Sequence, residues 1–125
     1  MAKKTLILIV EDDAVISENL KALMEARGFT AVCAADGAAG LVLARKNKPA
    51  LVLLDIMLPK MDGFDVCRML KTSPGTKDIR IIMITGLERM GDVEKAFASG
   101  ADDYIIKPFD PVRMFKKIEK FVTPD

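Results

Sequence analysis

Several short apolar runs in this chain end in polar residues that could take part in phosphate and metal chemistry. The runs and the residues that follow them are Leu6–Val10 with Glu11, Asp12 and Asp13, Leu51–Leu54 with Asp55, Ile81–Ile84 with Thr85, and Tyr104–Ile106 with Lys107. A short, continuous apolar run is typical of a strand buried on both faces of a sheet. If these strands are parallel, their carboxyl ends meet at one rim. Acids, a hydroxyl and an ammonium would then converge there.

The acids are the first part of this predicted site. Carboxylates of Glu11, Asp12 and Asp55 would repel each other at close range, so at least one would stay protonated unless a cation intervened. Mg²⁺ suits such a place because it takes oxygen ligands and needs only one or two carboxylates besides water and phosphate oxygens. Asp55 could be a metal ligand, a nucleophile towards phosphorus or a turn residue. A nucleophilic carboxylate needs nearby positive charge, which Mg²⁺ and Lys107 could supply.

Each of these residues also has a purely structural interpretation. The acids after the first strand would suit a helix N-terminus, with Asp13 as its cap. The Thr85 hydroxyl could be satisfied by backbone, and Lys107-Pro108-Phe109 could be an ordinary loop into the last helix. In the site interpretation, a cis bond before Pro108 could instead aim the Lys107 ammonium over the rim. The site interpretation is favoured because each residue ends a different strand in the same register.

Strands and helices are predicted to alternate along the whole chain. The predicted strands are Lys3–Val10, Phe29–Ala34, Leu51–Asp55, Arg80–Ile84 and Ala101–Ile106. The predicted helices run from Asp13 to Arg27-Gly28, from Asp36-Gly37 to Asn47-Lys48-Pro49, from Phe64, after the loop Leu58–Gly63, to the turn cluster that begins at Thr72, from Glu88 to Ser99, and onwards from Asp110-Pro111. Such alternation predicts an open parallel sheet covered on both faces, with a ligand site beyond the strand ends.

Apolar spacing predicts which side of each helix faces the sheet. The residues expected to face inwards are Ala14, Ile16, Leu20, Leu23 and Met24 in the first helix, Ala38, Leu41, Val42 and Ala44 in the second, Phe64, Val66, Cys67 and Leu70 in the third, and Val112, Phe115, Ile118 and Phe121 in the last.

Composition limits the class of protein. The chain has 125 residues, half of them hydrophobic, which fits one domain spanning 1–125. The formal net charge of +1 argues against direct binding of nucleic acid. Cys33 and Cys67 lack metal-ligand spacing, and they are expected to be buried thiols in a reducing cytoplasm. No run approaches membrane-spanning length, so a cytoplasmic protein without membrane association is expected.

The motifs together resemble the receiver domain of two-component response regulators, from about Thr5 to Phe121. The motifs that carry the resemblance are Ile9-Val10-Glu11-Asp12-Asp13, Leu54-Asp55-Ile56-Met57-Leu58-Pro59, Met61-Asp62-Gly63, Ile84-Thr85-Gly86 and the run from Gly100 to Phe109. The resemblance implies a doubly wound α/β fold, flavodoxin-like, with five parallel strands in the order 2-1-3-4-5.

The resemblance also implies a role for each site residue. Asp55 would be the phosphoacceptor in a signalling switch rather than in an enzyme. Mg²⁺, for which Mn²⁺ may substitute, would be bound by Glu11, Asp12, Asp55 and the backbone carbonyl of Met57. Lys107 and Thr85 would contact the phosphoryl group.

The same resemblance implies partners and an output. A sensor histidine kinase or a histidine phosphotransfer protein would donate the phosphoryl group. Tyr104 would turn inwards when Thr85 moves, and this would switch a surface formed by the fourth helix, fifth strand and fifth helix. A downstream protein, or an output domain outside this chain, would read that surface. The fourth-helix face of Met90, Val93, Glu94 and Phe97 is one candidate contact area, although core packing explains its apolar residues equally well.

Alternatives remain at this stage. An aspartyl-nucleophile phosphatase usually needs a second acid where this chain has Met57. A flavodoxin-like cofactor binder would need a phosphate loop where Glu11-Asp12-Asp13 would repel phosphate. A receiver that docks without being phosphorylated is the third. Met57 and Leu87 are apolar and cannot orient an attacking water, so slow hydrolysis of the acyl phosphate is expected.

Overall fold

The computed structural model describes residues 5–86, 91–108 and 110–124. Strands and helices alternate through them in the order β1 (Leu6–Val10), α1 (Ala14–Ala26), β2 (Thr30–Ala34), α2 (Gly37–Asn47), β3 (Leu51–Asp55), α3 (Gly63–Thr72), β4 (Arg80–Thr85), α4 (Asp92–Ala98), β5 (Asp103–Ile106) and α5 (Pro111–Ile118). The predicted strand start at Lys3, the predicted helix start at Glu88, and residues Leu87, Met90 and Phe109 lie outside the described residues.

The strands form one parallel sheet in the order β2-β1-β3-β4-β5. This confirms the predicted fold class. The order reverses beside β1, and β1 and β3 are neighbours with Val10 opposite Leu54. Residues that follow β1 therefore lie beside the end of β3.

The sheet has a separate apolar core on each face. One core contains Leu8, Val52, Leu54, Ile81 and Met83 of the sheet, packed against residues of α2, α3 and α4. The other contains Ile7, Ile9, Leu51, Leu53, Ile82 and Ile84, packed against residues of α1 and α5. Neighbouring residues of a strand point to opposite faces, so a continuous apolar run fills both cores. All of β3, including Asp55, is buried as a result.

Helix α2 packs against the sheet through Leu41 and Ala44, as predicted, and also through glycine. Ala38 and Val42 are exposed, so their predicted inward positions are wrong, whereas Gly40 is buried. A Cβ atom on Gly40 would lie 2.9 Å from Val10 Cγ2. Because Gly40 has no side chain, α2 can lie close to the sheet. With Gly40 on the inner face of the helix, Ala38 and Val42 face solvent.

Three further predictions of burial are wrong. Val112 is exposed, because Met114, Phe115 and Ile118 form the inner face of α5 and Val112 lies in its first turn outside that face. Ala14 is likewise exposed at the start of α1. Cys33 is exposed, because β2 is an edge strand whose outer positions lack a covering neighbour. Cys67 is buried as expected.

Asp102 joins three elements at the end of the sheet opposite the acids. Its carboxylate accepts hydrogen bonds from the Ile81 amide and from Lys71 Nζ, each at 2.9 Å, and from Arg80 Nη1 at 3.3 Å. Burial alone would raise the pKa of Asp102, but these donors lower it overall. The Asp102 carboxylate therefore stabilises the fold above its ordinary pKa, and this contribution is lost as the pH falls through the lowered value.

Replacing Asp102 by alanine should lower the free energy of unfolding by about 2–4 kcal/mol, because a largely buried ammonium keeps only its hydrogen bond to the Ile79 carbonyl and a buried amide loses its acceptor. Asp65→Ala is the matched control, since the Asp65–Arg68 ion pair is also 2.9 Å long but exposed on both sides. That control should cost at most about 1 kcal/mol. Urea denaturation of both variants would measure the difference, and equal losses would contradict the role assigned to Asp102.

Among the described residues, no helix combines the length and apolarity that crossing a membrane requires.

Candidate functional site

Main-chain pairing fixes the positions of the candidate site residues. Asp55 is the last residue of β3 and pairs with Ile84, and Thr85 is the last residue of β4 and pairs with Ile106. The Lys107 amide donates to the Thr85 carbonyl at 2.8 Å, which extends this register by one residue. The predicted convergence of strand ends is therefore present in the fold.

Three carboxylates gather at this rim. Ligand oxygens of Glu11, Asp12 and Asp55 all lie within 4.8 Å of one another. Glu11 and Asp55 are buried, whereas Asp12 is exposed at the mouth of the cluster. Asp13 is not part of the cluster, because its side chain accepts from the amides of Val15 and Ile16 and caps α1, as predicted.

Glu11 carries the strongest electrostatic perturbation of the site. Its residue is 2% exposed, and burial, followed by a hydrogen bond with Asp55 and repulsion from its charge, raises the pKa of Glu11 to about 8. Its Oε2 atom has no hydrogen-bond partner among the residues that the structure describes. An acceptor atom left this way inside an acidic cluster fits coordination of a cation, which would complete its bonding and remove the repulsion.

Lys107 supplies the positive charge of the site. Its Nζ lies 3.2 Å from Asp55 Oδ2 and 3.5 Å from Glu11 Oε1. Burial opposes the charged form, but attraction to Asp55 and Glu11 outweighs burial and raises the pKa of Lys107. The peptide bond between Lys107 and Pro108 is cis. One ammonium faces three carboxylates, so the donor set retains an excess of negative charge that suits a hard divalent cation.

Gly63 allows α3 to start directly behind Asp55. A Cβ atom there would lie 2.3 Å from the Asp55 carbonyl oxygen, a distance that main-chain atoms cannot accommodate. The Gly63 amide donates to the Ile56 carbonyl at 2.9 Å, and the side chain of Asp62 caps α3. The loop between β3 and α3 is thereby held against the end of β3. Within it, Met57 is 54% exposed and its amide donates to Asp55 Oδ1 at 3.2 Å.

Thr85 and Tyr104 occupy different environments beside the cluster. Thr85 is buried at the end of β4, and Tyr104 is partly buried on β5. The Tyr104 ring meets the Phe97 ring edge to face, with centroids 5.9 Å apart, and Lys117 Nζ lies 4.1 Å from its centroid on another side.

Reasoning from the sequence missed two features of this region, the contact of Lys117 with Tyr104 and the close approach of Gly63 to Asp55. The neighbourhood of Lys117 and Tyr104 depends on how α5 lies along β5, and no motif signals it. The approach of Gly63 was detectable only as a glycine following a helix cap. Of the predicted fourth-helix face, Glu94 and Phe97 are exposed and Val93 is partly exposed.

A pH prediction follows from Glu11. In the folded protein its pKa is raised from the ordinary 4.5 to about 8, so between these values the folded state holds a proton that the unfolded state releases. Without metal, the stabilisation linked to this proton is complete below pH about 4.5 and is lost as the pH rises through about 8. Saturating Mg²⁺ should remove this decline, because a bound cation favours the ionised carboxylate.

Urea denaturation from pH 5 to pH 9, with EDTA or with Mg²⁺, would measure the effect. The chain contains no histidine, so no histidine side chain obscures this window. Glu11→Gln is the control, and its metal-free stability should lack the decline. Parallel curves with and without Mg²⁺ would contradict this account of Glu11.

Comparisons with known proteins agree with this fold. The family model for the response regulator receiver domain matches residues 7–119. The chain is 43% identical over 112 residues to RpaA of Synechocystis sp., a DNA-binding dual master transcriptional regulator, in a match covering 90% of this chain and 46% of RpaA. The chain spans about half the length of the curated relatives it matches.

Solved structures show the same likeness. A response regulator receiver domain protein from Methanospirillum hungatei superposes with a TM-score of 0.85 at 33% identity, covering 94% of this chain and 93% of that one. The receiver domain of the sensor histidine kinase PA1611 from Pseudomonas aeruginosa superposes with a TM-score of 0.88 at 26% identity, covering 95% and 98%. That structure has a magnesium ion coordinated in its active-site cleft.

Proposed function

Because this chain belongs to the receiver domain family of two-component response regulators, whose general function is phosphoryl transfer, we propose that Asp55 is its phosphoacceptor. The observation that carries the proposal is the position of the Asp55 carboxylate. It ends a buried central strand, lies 3.2 Å from the Lys107 ammonium and shares an acidic cluster with Glu11 and Asp12. Residues 1–125 would form one receiver domain that acts as a signalling switch rather than as an enzyme with a substrate of its own.

In the proposed reaction, a carboxylate oxygen of Asp55 attacks the phosphorus atom of the donor. The bond from phosphorus to the donor's nitrogen or oxygen breaks, and the product is an acyl phosphate on Asp55. The attack requires that the charges of carboxylate and phosphoryl group be balanced. Lys107 balances part of the charge, and its contact with Asp55 aligns the carboxylate for attack.

Glu11, Asp12, Asp55 and the backbone carbonyl of Met57 would hold Mg²⁺ or, in its place, Mn²⁺. The bound cation would neutralise phosphoryl oxygens during transfer. The unpartnered Oε2 of Glu11 and the mutual approach of three carboxylates support this assignment. The magnesium ion in the receiver domain of PA1611 supports it independently.

Thr85 and Tyr104 would convert the new charge into a change of surface. The Thr85 hydroxyl would bond to a phosphoryl oxygen, and Tyr104 would move into the space that Thr85 vacates. Elements α4, β5 and α5 would then present a different surface. The phosphoryl group can drive this change only through stronger interactions in the second state, and a nearly complete shift needs about 5 kcal/mol of bias. An ammonium, a hydroxyl and a divalent cation acting together are sufficient for that amount.

The proposed partners follow from the chemistry. A histidine kinase or a histidine phosphotransfer protein would donate the phosphoryl group. A downstream protein, or a further domain outside this chain, would read the altered surface. The near-balance of charge on this chain suits a protein partner rather than direct contact with nucleic acid.

Intact-protein mass spectrometry tests the proposed function. The wild-type protein is incubated with acetyl phosphate or phosphoramidate, in Mg²⁺ or in EDTA. The expected result is a gain of one phosphoryl mass in Mg²⁺ and little gain in EDTA. No gain under any condition would contradict the proposal and favour a domain that docks on its partners without modification.

A further inference from the structure

The single tyrosine of the chain contacts two side chains from different helices. The Tyr104 ring meets the Phe97 ring of α4 edge to face, with centroids 5.9 Å apart and an angle of 86° between the planes. The Lys117 ammonium of α5 lies over the Tyr104 ring, 4.1 Å from its centroid. A cation over an aromatic face is attracted by the negative face of the ring.

Lys117 is anchored independently of this ring. Its Nζ donates to the main-chain carbonyl of Tyr104 and to Asp103 Oδ1, the latter at 3.4 Å. Its side chain is 31% exposed and that of Asp103 only 16% exposed, so solvent screens the group partially rather than fully. The ammonium therefore has two partners on β5 besides the Tyr104 ring, and it offers the ring an attractive site that does not depend on the ring for its position.

We propose that Lys117 is a positioning residue that holds Tyr104 in the observed conformation and thereby sets the resting balance of the switch. The proposal rests on the proposed function only where it assigns Tyr104 a second conformation. When the ring leaves this position it loses the contact with the ammonium, whereas Lys117 keeps its two hydrogen bonds. The interaction consequently favours the resting state alone, which is the condition for shifting an equilibrium.

Variants of Lys117 separate its charge from its other interactions. Lys117→Met keeps the length and apolar stem but removes charge and donor. Lys117→Gln keeps a donor for the Tyr104 carbonyl but lacks the charge, and Lys117→Arg keeps both. Lys116→Met removes a charge from the neighbouring exposed residue of α5 and is the matched control.

The measurement uses the fact that the chain contains one tyrosine and no tryptophan. A ¹³C-labelled tyrosine ring gives a single NMR signal set that reports on Tyr104 alone. In the unmodified protein, Lys117→Met and Lys117→Gln should move this signal in the same direction, and Lys117→Arg and Lys116→Met should leave it near the wild-type position. Signals that stay at the wild-type position in both Met and Gln variants would overturn the proposal.

Beryllium fluoride mimics an acyl phosphate when Mg²⁺ is present. A titration with it then measures how the Lys117 substitutions change the balance of the switch. The concentration for half-maximal change should fall about three- to tenfold in Lys117→Met and Lys117→Gln, the range that one cation–π contact supports. Superimposable titrations of these variants and the wild type would also overturn the proposal. If the wild type does not respond to beryllium fluoride, the proposed function is contradicted. The tyrosine signals of the variants recorded without beryllium fluoride still test the role of Lys117.

Thermal melts guard against misfolding. Should Lys117→Met unfold, the Gln variant provides the same comparison because it retains a donor for the Tyr104 carbonyl. A change that appears in Lys116→Met as well would contradict a specific role for Lys117.

Discussion

Asp55→Asn should abolish the Mg²⁺-dependent gain of phosphoryl mass while leaving the fold at least as stable as the wild type without metal. An amide is a poor nucleophile, so the acyl phosphate cannot form at this position. At the same time the substitution removes a charge that repels Glu11. The pKa of Glu11 should therefore fall below about 8, although burial, the largest cause of its rise, still holds it above the ordinary value. Loss of phosphorylation would thus accompany unchanged or increased stability.

Glu18→Gln is a suitable control, because it removes an exposed acid from α1 close to the same rim. It should retain the full phosphoryl gain. Mass spectrometry with acetyl phosphate would score both variants, and urea denaturation in EDTA would compare their stability. Undiminished phosphorylation of Asp55→Asn would mean that another residue is the acceptor.

Lys107→Met should separate metal binding from phosphorylation. In the proposed site, the ammonium and a divalent cation would both interact with the carboxylates of Glu11 and Asp55, so removal of the ammonium should tighten Mg²⁺ binding, by about tenfold for a charge at this range. The same change removes the donor that we propose for the phosphoryl group. Phosphorylation by acetyl phosphate should slow by about 100-fold.

Calorimetric titration with Mg²⁺ and the time course of mass gain would measure these two opposite effects. Lys60→Met is the matched control, because Lys60 lies in the loop after β3 with 74% of its side chain exposed, 3.7 Å from Asp36. It should alter neither quantity appreciably. Weaker Mg²⁺ binding in Lys107→Met would show that Lys107 supports the metal site rather than competing with the cation.

The fold and the acidic cluster were predictable because both depend on local sequence. Each strand is a short apolar run with a polar residue at its end, and parallel pairing brings those ends together whatever the helices do. Caps such as Asp13 and Asp110 bond to amides of their own helix within three residues, so they too can be predicted from the sequence. The gathering of Glu11, Asp12, Asp55 and Lys107 required in addition the strand order, which is not a local property and which the resemblance to the receiver family implied.

The wrong predictions of burial concern how closely helices and strands approach one another. An apolarity count favours Val42 over Gly40 for the inside of α2, but the close approach of α2 to Val10 requires the smaller residue. Val112 and Cys33 were misplaced because exposure at a helix start or a sheet edge depends on what covers it. The position of Lys117 beside Tyr104 depends on the lateral placement of α5, which no local pattern encodes.

The site residues lie at the ends of strands that pair through main-chain hydrogen bonds, whereas much of the exposed surface is formed by helices. Substitutions on the outer faces of α1, α4 or α5 therefore leave the pairing between Thr85 and Ile106, and that between Asp55 and Ile84, untouched. Duplicated copies of such a gene can diverge in their surfaces while the chemistry stays common to all of them. A cell can therefore use one reaction in many signalling pathways that do not cross-react. Exchanging helix surfaces would change the partners of such a domain.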